Sequence, residues 1–140
     1  MTKPRPLSNQ PALVRLPSGL TVAVDPMQHV RSASVGVWIA TGSRQEMAGL
    51  EGAAHLWEHM AFKGTSNRSA LDIARALDRL GGLSNAFTGR EDTCFHARVV
   101  DSGLAEAFDI LADLVLRPQL DPAELTLEKG VVQQEIAAVD

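Results

Sequence analysis

The 140-residue chain contains no tyrosine and a single cysteine, Cys94. A lone cysteine excludes any disulfide framework within the chain, so its stability must come from packing. No apolar run approaches the roughly 20 residues that a membrane-spanning helix requires, which excludes a helical span. Cations neither dominate nor cluster: 13 lysines and arginines face 17 aspartates and glutamates, a formal net charge of −4. Nucleic-acid binders gain affinity by neutralising phosphates with grouped cations, so the balance argues against that class. Residues Met1 to Gln10 carry Lys3 and Arg5 but no apolar stretch behind them. No standard secretory signal is present in them, which makes a cytoplasmic address the expectation, or a periplasmic or organellar one if an N-terminal extension is missing.

With 45% hydrophobic and 21% charged residues, the chain has the composition of a folded domain, and at this length it can bury roughly 68% of its unfolded surface. Residues 13–16 and 20–24 are short β-prone runs flanking Pro17-Ser18-Gly19, which predicts a hairpin. Residues 33–41 place Val35, Val37 and Ile39 on one face of a third strand. A helix is expected over 53–63. A second starts at Ser69, with Asp72 completing a capping box, and stops at Gly81-Gly82. Two strands follow, Leu83 to Gly89 and Asp92 to Val100, the second with Thr93, Phe95, Ala97 and Val99 on one face and Cys94, His96 and Arg98 on the other. A third helix from Ser102 carries Leu104, Phe108, Leu111 and Val115 as its expected core stripe. A fourth starts at Asp121-Pro122, with aspartate as cap and proline at the first helical position. The expectation is one α+β unit, an antiparallel-rich sheet with helices packed on it.

Residues 55–59 read His55-Leu56-Trp57-Glu58-His59. On a helix, positions four apart share a face, so both imidazoles can reach one ion. Glu58 falls on nearly the same face, where its carboxylate can reach water at that ion. Two neutral nitrogen ligands and one base are the parts of an open catalytic zinc site. The same pattern also suits a solvated helix face. A third protein ligand is wanted, and the fourth helix offers Glu128 and Glu135, seven residues apart and so nearly aligned on one side. Val131, Val132 and Val139 share that side, which predicts partial burial. A buried carboxylate requires a partner such as a metal or an imidazole N–H. His29, in a polar loop, and His96, on a strand, are expected to be structural or solvent-facing, and Cys94 a half-buried strand residue.

These residues resemble the M16 zinc metallopeptidases, the inverzincins, in which His-x-x-Glu-His inverts the commoner order of zinc proteases. Gly52 to Thr65 (GAAHLWEHMAFKGT) is similar to the family's zinc helix and following loop. Leu83 to Ala97 (LSNAFTGREDTCFHA) is similar to its substrate-edge strand and hairpin, and Glu128 to Glu135 (EKGVVQQE) to its second ligand helix. The His-x-x-Glu-His-Met-x-Phe-Lys-Gly-Thr stretch resembles the bacterial branch related to mitochondrial processing peptidase. Trp57 departs from the aliphatic residue usual at its position and is expected to face away from the metal, into the core.

The resemblance implies that His55, His59 and Glu135 bind one zinc ion, that Glu58 is the general base acting on zinc-bound water, and that Glu128 orients the site from behind. It also implies that Asn85, Ala86 and Phe87 hold an extended peptide substrate by strand addition, which recognises backbone more than side chains. The implied function is a zinc-dependent endopeptidase. Family peptidases pair homologous domains or subunits, and the later half contributes an Arg and a Tyr that a chain without tyrosine cannot supply. The fourth helix carries no stop signal before Asp140, so residues 1–140 are expected to form an N-terminal metallopeptidase domain, incomplete at its C-terminus and inactive alone. The alternative is a non-catalytic zinc-binding or structural subunit of an M16-like assembly, against which the intact motif counts.

Overall fold

The computed structural model describes residues 10–139, so the N-terminal segment read for a targeting signal lies, apart from Gln10, outside the described residues. Strands β1 (Ala12–Arg15) and β2 (Thr21–Val24) pair antiparallel, Ala12 opposite Val24 and Arg15 opposite Thr21. The expected turn joins them, closed by the Gly19 N–H donating to the Leu16 carbonyl at 2.9 Å. This hairpin belongs to the first of two compact units, which divide between Arg31 and Ser32.

The second unit is built on a three-stranded antiparallel sheet in the order β3-β5-β4, with β3 at Ser32–Ile39, β4 at Leu83–Thr88 and β5 at Thr93–Val100. Val35, Val37 and Ile39 of β3 alternate as the sequence predicts, and the strand ends two residues earlier than expected. On β5 the expected two faces are both present. Phe95, Ala97 and Val99 are buried in the core, while Cys94 turns to the other face, in register between Trp38 and Phe87. The two rings meet edge to face with centroids 5.6 Å apart. Cys94 is therefore 1% exposed rather than half-buried, and burial, helped by nearby Asp92, pushes its thiol pKa up.

Four helices complete the unit: α1 (Ala53–Ala61), α2 (Ala70–Arg79), α3 (Leu104–Leu116) and α4 (Pro122–Val139). The capping box of α2 forms as predicted, the Ser69 hydroxyl accepting from the Asp72 N–H while the Asp72 carboxylate accepts from the Ser69 N–H. Asp121 caps α4 through the N–H groups of Ala123 and Glu124. Helix α3 lies against β3 and β5, but its core stripe differs from the expected one. Ala107, Ile110, Leu111 and Leu114 are buried, whereas Leu104 and Phe108 are exposed. The helix is rotated toward its small and aliphatic residues because Ala107 allows close approach to the sheet.

One polar side chain lies inside that stripe. Asp113 is fully buried and accepts hydrogen bonds from Thr65 Oγ1 at 2.6 Å, Asn67 Nδ2 at 2.7 Å, Arg68 at 2.7 Å and Arg117 Nε at 2.6 Å. Burial alone would raise its pKa, yet these four donors hold it well below the usual carboxylate range. The loop that follows α1 is thereby fixed to α3. Among the described residues, no helix is long and apolar enough to cross a membrane.

Candidate metal centre

The two histidines stand on α1, which ends at Ala61 rather than at residue 63. Its N-cap, Gly52, has φ 86° and no side chain with which to cap. Glu46 supplies the cap from the preceding loop, its two oxygens accepting from the N–H groups of Gly52 and Ala54, both at 2.8 Å. A carboxylate at a helix N-terminus also complements the helix dipole. The loop itself is held down where Gly42 crosses the β4–β5 turn. A Cβ there would lie 2.4 Å from the Gly89 carbonyl, so only glycine fits. Glu46 went unnoticed in the sequence because it is six residues from the helix it caps; the missing cap at Gly52 is the signal that would have exposed it.

Helix α4 packs against α1 and brings the carboxylates to the histidines. His55 Nε2 and His59 Nε2 are 3.2 Å apart, and a Glu135 oxygen is 3.5 Å from each. Zinc held tetrahedrally at 2.0–2.1 Å requires ligand atoms about 3.4 Å from one another. The triangle thus has the size and the two-nitrogen, one-oxygen donor set that zinc takes in catalytic sites, and these three residues could hold a metal ion. The side chains are 35%, 21% and 50% exposed in the order His55, His59, Glu135, leaving one side of the triangle open.

Behind the triangle, His59 Nδ1 donates to Glu128 Oε2 at 2.9 Å, and Lys63 Nζ donates to Glu128 Oε1 at 2.6 Å. A carboxylate accepts only, so the neutral His59 ring carries its proton on Nδ1 and presents the lone pair of Nε2 to the triangle. The Lys63 hydrogen bond, opposed by burial and assisted by His59, holds Glu128 below its ordinary pKa. Glu128 is buried as predicted, together with Val132, whereas Val131 and Glu135 are exposed, so the buried face of α4 is narrower than expected. The side chain of Val139 lies outside the described residues. Lys63 lies just beyond α1, and its partner is on α4, so no local spacing points to the contact.

In front, a cleft of about 690 Å³ is lined by His55, Glu58, Ala86, Phe87, Thr88 and Ile136, among others. Glu58 Oε2 accepts from the Thr88 hydroxyl at 2.5 Å, which ties the proposed base to the last residue of β4. That strand is the outer one of its sheet and, among the described residues, has no neighbour on its free edge. The Ala86 N–H is met by the side-chain oxygen of Asn85 at 2.9 Å, and Phe87 is 42% exposed. All eight residues singled out in the sequence therefore fall in or beside one site, and Trp57 turns into the core, edge-on to Phe95 at 5.3 Å. His29 is exposed and distant in sequence, and His96 sits on β5 beside Phe87.

Comparison with known proteins sets this geometry among relatives. The chain is similar to an uncharacterised zinc protease of Mycobacterium leprae, 51% identical over 125 residues, which are 89% of this chain and 28% of the relative. It is 38% identical over 128 residues to mitochondrial-processing peptidase subunit beta of Blastocladiella emersonii, covering 91% of this chain and 28% of that protein. Among solved structures, a protease from Helicobacter pylori superimposes with a TM-score of 0.84 at 31% identity, over 90% of this chain and 30% of that one. The chain spans under a third of the length of these relatives. Residues 21–140 match the family model of insulinase, peptidase family M16, and with the fold and the order of elements in agreement the chain belongs to that family.

Proposed function

We propose that the chain provides the metal-binding and proton-transferring part of a zinc-dependent endopeptidase. The observation that carries this reading is the triangle of His55, His59 and Glu135 at zinc-ligand spacing, with Glu58 beside it on the cleft side. Zinc, when bound by these three residues as a single ion, supplies Lewis-acid polarisation and acidifies water. Glu58 takes a proton from water as the oxygen attacks the scissile carbonyl carbon, then delivers it to the leaving amine nitrogen. Thr88 holds one oxygen of Glu58 and leaves the other for the proton. Glu128 fixes the tautomer of His59.

The free edge of β4 suits an extended peptide. Asn85, Ala86 and Phe87 would bind it by main-chain hydrogen bonds, the Ala86 N–H passing from the Asn85 side chain to the substrate. The names of the relatives, zinc protease and processing peptidase, support the reaction class. Since those relatives are more than three times as long, we assign the rest of the substrate chamber to a homologous domain or partner subunit.

The test is Glu58→Gln, which keeps shape and removes the base. Bound zinc should remain stoichiometric while peptide cleavage by a protein of the relatives' full length falls at least about 1,000-fold, the upper part of the range for general acid–base catalysis. Cleavage at the parent rate by this variant would refute the assignment, and stoichiometric zinc with no cleavage by the parent would show a zinc-binding subunit without catalysis.

A further inference from the structure

Lys63 has no part in the function proposed above, yet its contact with Glu128 is among the shortest at the site. It follows the last turn of α1, its N–H bonded to the Met60 carbonyl, and its Nζ is 2.6 Å from Glu128 Oε1. The partner carboxylate is only 9% exposed, and its other oxygen is the acceptor of His59 Nδ1–H at 2.9 Å. Both oxygens of Glu128 thus have one donor each, from two residues four apart on the same helix end. With either donor removed, the carboxylate could turn about its terminal bond. With both present its plane is fixed, and with it the direction in which the His59 ring points.

We infer that Lys63 is a positioning residue for the metal centre: by holding one oxygen of Glu128 it aims the other at His59 and so sets the orientation of the Nε2 lone pair toward the ion. This rests on the zinc reading above. A general charge effect predicts the opposite behaviour, since removing a cation a few ångströms behind a cation site should strengthen metal binding. The two accounts therefore differ in sign.

The experiment measures zinc affinity of the full chain by competition with a chromophoric chelator, for the parent, Lys63→Met, Lys63→Arg, Glu128→Gln and the Lys63→Met/Glu128→Gln double variant. Lys63→Met should bind zinc about 10-fold to 100-fold more weakly, as expected when the support of a histidine ligand is lost. Lys63→Arg should recover most of that loss, and the double variant should be no weaker than Glu128→Gln alone, because Lys63 acts only through Glu128. Thermal unfolding of the metal-free proteins identifies any variant whose weaker binding follows from failure to fold, and for such a variant the Lys63→Arg comparison decides. Equal or tighter zinc binding by Lys63→Met, or losses that simply add in the double variant, would overturn the role of Lys63. Absence of zinc binding by the parent itself would instead overturn the metal assignment on which the inference depends.

Discussion

Single side chains at this site are held by partners that come from other elements, and the partners decide what each can do. Glu58 is an example: its position depends on a hydroxyl from β4, 30 positions away in sequence. Thr88→Val keeps the shape of the side chain and removes the donor, so the carboxylate loses its fixed orientation. The expected outcome is a fall of about 10-fold to 100-fold in kcat with zinc affinity unchanged, since a misplaced base costs transition-state stabilisation and leaves the ion's ligands intact. Steady-state kinetics on the variant and on Thr88→Ser, which should restore the rate, check this. The grouping of His55, Glu58 and His59 could be read in the sequence because a helix imposes a fixed angular relation on residues 55, 58 and 59. Thr88, Lys63 and Glu46 could not, since each reaches its partner across space through a loop or a neighbouring element, and only Glu46 left an indirect sign, a helix start at Gly52 with no capping side chain.

At the level of elements, α1 is fastened at both ends, and α4 is capped at its start by Asp121. Glu46 caps the start of α1 and the Asp113 cluster secures the loop beyond it, whereas Glu128 and Val132 are the buried residues of α4 among those described. Within the described residues these two make a thin contact for α4, and helices gain most of their stability from packing. A metal ion bound by residues of both helices adds to that contact directly. Removing zinc with a chelator should therefore speed amide hydrogen exchange in α4 at least about tenfold, with little change in β5 or α3; equal protection with and without metal would show that packing alone holds α4. The boundaries of α2 and α4 could be read in advance because capping chemistry is local. The stripe of α3 could not. Its rotation is set by how closely Ala107 lets it approach the sheet, and Asp113 occupies a position on the core side that a hydrophobic pattern rejects.

For the molecule as a whole, that buried aspartate also sets a pH limit. Its pKa in the folded state lies well below the value of about 3.9 for an unfolded chain, so below about pH 5 the unfolded chain takes up more protons than the folded one, and stability falls with pH. The contribution is complete above about pH 5 and is lost as the pH drops toward the folded-state value. Urea unfolding of the parent should accordingly show a midpoint that falls between pH 5 and pH 3. Asp113→Asn should be less stable at pH 7 by about 1.5 to 3 kcal/mol, the worth of hydrogen bonds to a charged group, and should show a weaker pH dependence in that range. An unchanged acid slope in the variant would place the sensitivity elsewhere. The α+β class and the antiparallel pairing were visible in the alternation of Phe95, Ala97 and Val99 and in the turn residues between strands, but the order β3-β5-β4, in which the third of these strands in sequence takes the centre, is a choice of tertiary packing.

The separation of the proposed ligands along the chain has a consequence in time. His59 and Glu135 are 76 positions apart, and at a synthesis rate of about 5–20 residues per second roughly 4 to 15 s pass between their appearance on a ribosome. For the first 69 of those positions the growing chain has both imidazoles and the proposed base Glu58, but neither Glu128 nor Glu135. Helix α2, strands β4 and β5 and helix α3 are all made within that stretch. On the proposed ligand set, the third ligand thus arrives only with α4, after the strand edge proposed to receive substrate has been made, so the order of synthesis places the proposed peptide-binding edge before the complete proposed metal site.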